Sequence, residues 1–417
     1  MPISRHVRRV PLVALAAVIL ALVLPVLYAP PVRAVETRDL PAEPPARRTV
    51  VLEEVWRLGG DDEDVLLGLV TGGVLADEGN VLLTDEQLAH VLVVGPDGKV
   101  TRTLGREGDG PGELRRLQSV FAAGERAGLV QEFPGRVVYL DREGLPAGGF
   151  ALGGPATDGG EFAIRELCRV GSALVAHINR SAFDEAADRC VTRATLAVLD
   201  LDGAITAELA EHEVTRGARH IVMDEAASWT GFDVFAAGPG GRVAIIADRD
   251  AWLVHELDLA GHLQRVLRRP CPQRKRTDEE KDAAVSRIRL AVVIGGTDID
   301  KRPLPTDPVI VGLAYAADGR LFVTTCYNAP ELLEPGVVGR YDVIAPDGRY
   351  REELTVAFPG FDPQKDRLVF LDGTRYLVLR NYEGAKNALY AAYRRGEQSE
   401  DLSEVEPLEV VLAKIPD

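Results

Sequence analysis

An all-β chain built from repeated strand-turn-strand units is what this sequence predicts, and three observations carry the expectation. A glycine-led apolar strand recurs six times. Tight turns of the Asp-Gly kind join the strands that follow it. Segments with a helical apolar period are scarce, and one stands out.

The clearest unit runs from Gly79 through Val81-Leu82-Leu83-Thr84-Asp85 to His90-Val91-Leu92-Val93-Val94, then Gly95-Pro96-Asp97-Gly98 and the strand from Lys99 to Leu104. The opening recurs at Gly135-Arg136-Val137-Val138-Tyr139-Leu140-Asp141 and, more loosely, at Gly171 to His177. Gly241 to Asp248, Gly319 to Thr324 and Gly373 to Leu379 complete the six. The later half of the unit returns around Asp202-Gly203, Ala260-Gly261 and Pro346-Asp347-Gly348, where glycine supplies positive φ and Asp bonds its own backbone. Roughly 380 mature residues exceed a usual single core. Repeats escape that limit because each unit packs mainly on its neighbours, and a four-stranded blade needs about 40 residues. Six units closed into a ring make a six-bladed β-propeller of four-stranded antiparallel blades. The opening glycines are 36 to 78 residues apart, so the loops between strands must differ in length.

The helical exception lies in the longest gap. Thr277-Asp278-Glu279-Glu280 reads as a capping box, and Ala284, Val285, Ile288 and Leu290 behind it fit one amphipathic helix. Residues 268–308 are therefore expected as a short helical insertion between blades 4 and 5. Thr49 to Leu58 is expected to pair with the last blade, and Val405 to Ile415 to supply that blade's C-terminal strands, which removes free sheet edges. The single propeller domain then spans 49–417.

The N-terminus carries a different message. Arg5, Arg8 and Arg9 precede an uncharged apolar run from Val10 to about Tyr28, and Val32-Arg33-Ala34 offers a small-residue cleavage site. Residues 1–34 thus predict a signal peptide cleaved after Ala34 and export to the periplasm or the extracellular space. The competing reading is an uncleaved membrane anchor over residues 10–28. Residues 35–48, rich in Pro, Glu and Ala, read as a linker. Without its first 34 residues the chain keeps 44 basic and 64 acidic side chains, a net charge of −20. Such a surface repels phosphates and anionic lipid, which argues against nucleic acid as a partner and against a membrane-surface role.

The stretch from Gly79 to Leu114 resembles the NHL-like, six-bladed β-propeller family of exported bacterial proteins. The residues that carry the resemblance are Val81 to Asp85, Val91 to Val94, the turn Asp97-Gly98 and the run Leu104-Gly105-Arg106-Glu107-Gly108-Asp109-Gly110-Pro111-Gly112-Glu113-Leu114. Weaker similarity continues to about residue 380.

No motif of catalysis is present. The Gly-rich run 105–112 lacks the Lys of a phosphate loop, and Glu107, Asp109 and Glu113 would repel an anion, so it reads as a tight inter-blade connection. Asp85, Asp141, Asn179, Asp248 and Asn381 fall near the ends of opening strands and form a candidate ligand set for an axial Ca²⁺. Against that, Asp and Asn end strands everywhere because they favour turns. Cys168, Cys190, Cys271 and Cys326 permit disulfides in an oxidising compartment, and proximity favours Cys168–Cys190 and Cys271–Cys326. His177, His255 and His262 make no metal pair, and Trp56, Trp229 and Trp252 read as packing between blades. The expectation for function is a non-catalytic exported module that binds a protein, peptide or glycan, with no cofactor. Its alternative is a Ca- or Zn-dependent propeller hydrolase, lactonase or lyase.

Overall fold

A computed structural model describes residues 35–60, 65–153, 160–184, 186–217, 219–286, 298–393 and 406–416. The expected signal peptide, its cleavage after Ala34 and the alternative anchor lie outside these residues. Among the described residues no helix is long and apolar enough to cross a membrane.

These residues form six four-stranded antiparallel blades in a ring. Blade 1 comprises Val70–Leu75, Val81–Asp85, His90–Val94 and Val100–Leu104. Blade 2 comprises Ser119–Ala123, Arg126–Gln131, Arg136–Leu140 and Pro146–Ala151. Blade 3 is built from Gly160–Val170, Ala173–Asp184, Arg189–Leu199 and Ile205–Gly217. Blade 4 follows with Phe235–Gly238, Arg242–Ile246, Trp252–Leu257 and Leu263–Arg269, and blade 5 with Ile310–Tyr315, Leu321–Thr325, Val337–Ile344 and Tyr350–Ala357. Blade 6 joins Arg367–Phe370, Arg375–Arg380 and Glu409–Lys414 to the N-terminal strand Glu53–Gly59.

The inner strands read as unbroken apolar runs because both faces of every blade are covered. In Val81-Leu82-Leu83, Leu83 faces blade 6 and Leu82 faces blade 2, as the period of two requires. Six hydrophobic clusters result, each lying between consecutive blades. The cluster between blades 6 and 1 contains Trp56, Leu58, Leu377 and Val410 from one side and Val70, Leu83 and Leu92 from the other. That cluster closes the ring.

Three expectations are corrected. The second opening glycine, Gly135, leads the third strand of blade 2; the residue equivalent to Gly79 is Gly124, at φ 67°, ahead of Arg126–Gln131. Its strand carries Gly128, which weakens the apolar signal. The N-terminal strand is also split, because the chain turns at buried Leu52. Glu53–Gly59 pairs with Glu409–Lys414, whereas Arg47–Val51 runs parallel to the outer strand of blade 5. Finally, the stretch read as a linker carries the strand Glu36–Asp39, parallel to the outer strand of blade 4. Arg48 grips Glu352 through two hydrogen bonds of 2.9 and 3.1 Å, and Arg265 donates to Glu36 at 2.9 Å. The segment covers two outer edges that would otherwise recruit another chain.

The connection from blade 4 to blade 5 holds the expected helix, Asp278–Ser286. Its capping box forms: Thr277 Oγ1 accepts from the Glu280 amide at 3.3 Å, and Glu280 accepts from the Thr277 amide at 2.7 Å. Val285 is fully buried, while Ile288 and Leu290 lie outside the described residues. The same connection adds the strand Asp298–Arg302, which pairs parallel with His220–Asp224. A second helix, Tyr382–Tyr393, interrupts blade 6 between its second and third strands, and Tyr382 and Leu389 seat it on the closing cluster.

Candidate functional site

Strand length creates the site. Blade 3 has strands of 11, 12, 11 and 13 residues, while those of blade 4 have 4 to 7. At about 3.3 Å per residue the excess is roughly 15 Å or more. The lower halves of these blades share the cluster of Val175, Leu196 and Val198 with Phe235 and Val243. The upper half of blade 3 has no blade 4 strand to meet, so the same face opens onto a cavity of about 1110 Å³.

Residues 177, 179 and 181 of the second strand, Thr192 and Ala194 of the third, and His212, Val214 and Arg216 of the fourth form one wall. The segment Glu225 to Asp233, with the short helix Glu225–Ser228, forms the facing wall. Glu132 and Phe133 of blade 2 reach in from the side. The facing wall is braced from behind. Glu225 accepts from Arg249 at 2.9 Å, Arg276 at 2.7 Å and the Leu304 amide at 2.8 Å. Burial pushes its carboxyl up, but the Arg276 bond and the others win and hold it below the usual range.

Proton chemistry concentrates on the blade 3 wall. Glu166 stands directly across from His177 in adjacent strands, just after a bulge at Arg165. It lines the cavity and meets solvent there, yet protein surrounds it, and this desolvation pushes its carboxyl up to about 7. His177 is buried at 4% exposure and packs edge-on against Phe232, and burial lowers its pKa, so it is neutral at neutral pH. Nε2 of His177 lies 3.0 Å from Asn179 Oδ1, and Nδ1 lies 3.7 Å from Asp233 Oδ1.

The structure does not bring the five strand-end residues together. Asp85 is fully buried and accepts from the amides of Gly68 and Leu88, tying two loops to blade 1. Asp248 accepts from the Asp250 amide, and Asn381, at φ 57°, donates to Pro407. Asp141 follows a third strand and caps the turn to Leu145, which places it at the opposite end of its blade from the other four. Asn179 alone of the five lines the cavity. Among the described residues no group of three or more His, Cys, Asp or Glu side chains is arranged to hold a metal ion.

The Gly-rich run is a self-tied connection. The amides of Gly108 and Gly110 are spent on Leu114 and on the Glu113 carboxylate, and Leu114 and Leu117 are buried between blades. Trp56 and Trp252 pack between blades, and Trp252 Nε1 donates to Asp342 of blade 5 at 2.9 Å. Trp229 also lines the cavity.

The thiols are free, and strand register rules out one expected bridge. Cys168 faces Val175 and Cys190 faces Phe183, eight positions apart along one strand. That separation is about 26 Å, against the roughly 7 Å limit between bridged Cα atoms. Cys271 and Cys326 lie near each other; burial first, and then other groups including Cys271, raise the Cys326 thiol.

Nothing local marked Glu166 or Asp233 in the sequence, because the feature that joins them is the length mismatch of two neighbouring blades.

No family model matches the chain, and no curated protein does. Among solved structures it is similar to an exported protein, BF0058, from Bacteroides fragilis at 11% identity and TM-score 0.48, covering 91% of this chain and 100% of that one. It is similar also to virginiamycin B lyase from Staphylococcus aureus, at 12% identity and TM-score 0.39 over 86% and 99% of the two chains. A calcium-binding protein, regucalcin, from Agrobacterium tumefaciens gives 10% identity and TM-score 0.37 over 89% and 97%. Likeness at this level assigns neither activity nor ligand. The chain is a β-propeller on the evidence of its own blades.

Proposed function

We propose that this protein is an exported propeller that binds a short segment of a peptide or protein in the cavity above blade 4, without chemistry on its ligand. The observation that carries the reading is the cavity itself. Small-molecule pockets run to about 300–1,000 Å³, and this one, at about 1110 Å³, leaves room for several residues of an extended chain. Its wall offers Asn179, Ser181 and Thr192 for hydrogen bonding, with exposed Phe133 at its side. The N-terminal signal-like sequence supports export, and the likeness of Gly79 to Leu114 to NHL-like repeats supports grouping the chain with exported propellers of that kind.

Arrays of peptides and of glycans probed with the full chain test this reading. Peptides retained by the wild type should be lost from Thr192→Trp, whose indole projects into the cavity and obstructs the blade 3 wall at a position outside the buried core. Retention of the same peptides by that variant would place binding elsewhere, and capture of glycans alone would replace the ligand class.

A further inference from the structure

The four thiols are free, and strand register keeps Cys168 from Cys190. Cys271 and Cys326 stand differently. Cys271 lies two residues beyond Leu263–Arg269, the outer strand of blade 4, and Cys326 directly follows Leu321–Thr325, the second strand of blade 5. The chain separates them by 54 intervening residues, and the packing of blade 5 on blade 4 brings them back together.

Several contacts fix the meeting. The Pro272 carbonyl oxygen lies 3.8 Å from Sγ of Cys271 and accepts from the Tyr327 hydroxyl at 3.5 Å. One atom thus touches the first thiol and the residue that follows the second. The Cys326 amide donates to the Val309 carbonyl at 3.1 Å, and Val309 belongs to the buried cluster on which Cys271 packs. The Cys326 sulfur accepts from the amide of Arg274, three residues past Cys271, and the Cys271 thiolate acts on it electrostatically. Cys326 is 3% exposed and Cys271 half-buried, so a reagent from solvent reaches Cys271 first. Export, which residues 1–34 predict, takes the pair to an oxidising compartment.

We infer that Cys271 and Cys326 close a disulfide in the exported protein, which ties the exit of blade 4 to blade 5. The oxidant is a low-molecular-weight disulfide. The Cys271 thiolate attacks one of its sulfurs and expels a thiol; Cys326 then attacks Sγ of Cys271 and expels the second. Two S–H bonds break, one Sγ–Sγ bond forms, and the oxidant leaves as two thiols carrying both protons and both electrons. The bond sits at the root of the connection that braces the cavity wall. Beyond it Arg274 pairs with Asp307 and Glu280, and Arg276 with Asp307 and Glu225.

The test treats the full chain, reduced beforehand, with oxidised glutathione. Peptide mapping without reductant should recover Cys271 joined to Cys326. The cross-linked protein should melt about 5 °C above the reduced one, because the bond closes a long loop in the unfolded chain. Hydrogen exchange in residues 272–286 and 298–308 should slow on oxidation. Cys326→Ala should stop at a glutathione adduct on Cys271 and gain no stability, and a melt of its reduced form checks that it folds. A lasting glutathione adduct on Cys271 of the wild type, or two thiols that stay free, would overturn the bridge. A bridge that leaves exchange in those residues unchanged would overturn its part in bracing the wall.

Discussion

The joint between blades 6 and 1 closes the ring, and one pair of residues makes it measurable. Gly98, at φ 81° in the last turn of blade 1, lies under Trp56 of the N-terminal strand. A Cβ added there would sit 2.6 Å from Trp56 Cβ and 3.0 Å from its Cγ. Ordinary contact is about 3.5–4.0 Å, so the turn or the strand must retreat by about 1 Å. Gly98→Ala should therefore cost roughly 1–2 kcal/mol for the left-handed backbone and roughly 1–3 kcal/mol for overpacking. Trp56, 6% exposed, should cost about 3–5 kcal/mol when cut to Ala. In the double variant the indole that Gly98→Ala would strike is gone, and the strand that carried it can yield. Most of the overpacking share should vanish, and the double loss should fall short of the sum by about 1–3 kcal/mol. Reversible guanidinium unfolding of the four proteins reads this coupling. Additivity within about 0.5 kcal/mol would refute the account, since it would mean that the N-terminal strand does not press on blade 1.

Further outcomes follow from other parts of the molecule. In an unfolded chain Glu166 would titrate near about 4.3 but in the folded protein near about 7, so folding binds protons between these values and stability falls as pH rises through that window. Glu166→Gln should thus melt higher than wild type at pH 8 and alike at pH 4; alike at both would contradict the desolvation of this carboxyl. Glu225→Ala takes one of two carboxylate partners from each of Arg249 and Arg276, both under a tenth exposed, which keep Asp250 and Asp307, and should cost about 1–3 kcal/mol. Hydrogen exchange should accelerate first in residues 268–286, 298–308 and 219–234, and unchanged protection there would show that this network does not brace the wall. Deleting residues 36–51 uncovers the outer edges of blades 4 and 5, and light scattering should show self-association. Peptide mapping of the oxidised protein should find no Cys168–Cys190 bridge; finding one would contradict the register of blade 3.

Much of the fold is legible along the chain because its determinants are local. A strand buried on both faces must be apolar throughout, as in Val81-Leu82-Leu83, and a tight turn must carry residues like Asp97-Gly98. The capping box at Thr277 to Glu280 needs only its own four residues, so it too is readable, and it forms. Misreadings arise where local signals are ambiguous. Gly128 thins the second strand of blade 2, so the stronger third strand takes its place in a count of openings. Tyr382, Ala385 and Leu389 carry a helical spacing that is easily hidden between two strands of one blade. The split at Leu52 follows from which outer edges lie nearest, and no nearest-neighbour pattern records that.

The site stands on the other side of this division. Composition and local pattern determined an acidic all-β repeat chain with five of its six strand openings, because periodicity and turn chemistry act over a few residues. Only the closed ring set four long strands beside four short ones, left the upper face of blade 3 bare, placed Glu166 across from His177 in register and brought Asp233 to 3.7 Å from His177 Nδ1. Those three residues are separated by 11 and 56 positions in the chain. Their meeting depends on strand register and on the packing of two blades, which are properties of the assembled sheets and of no single segment.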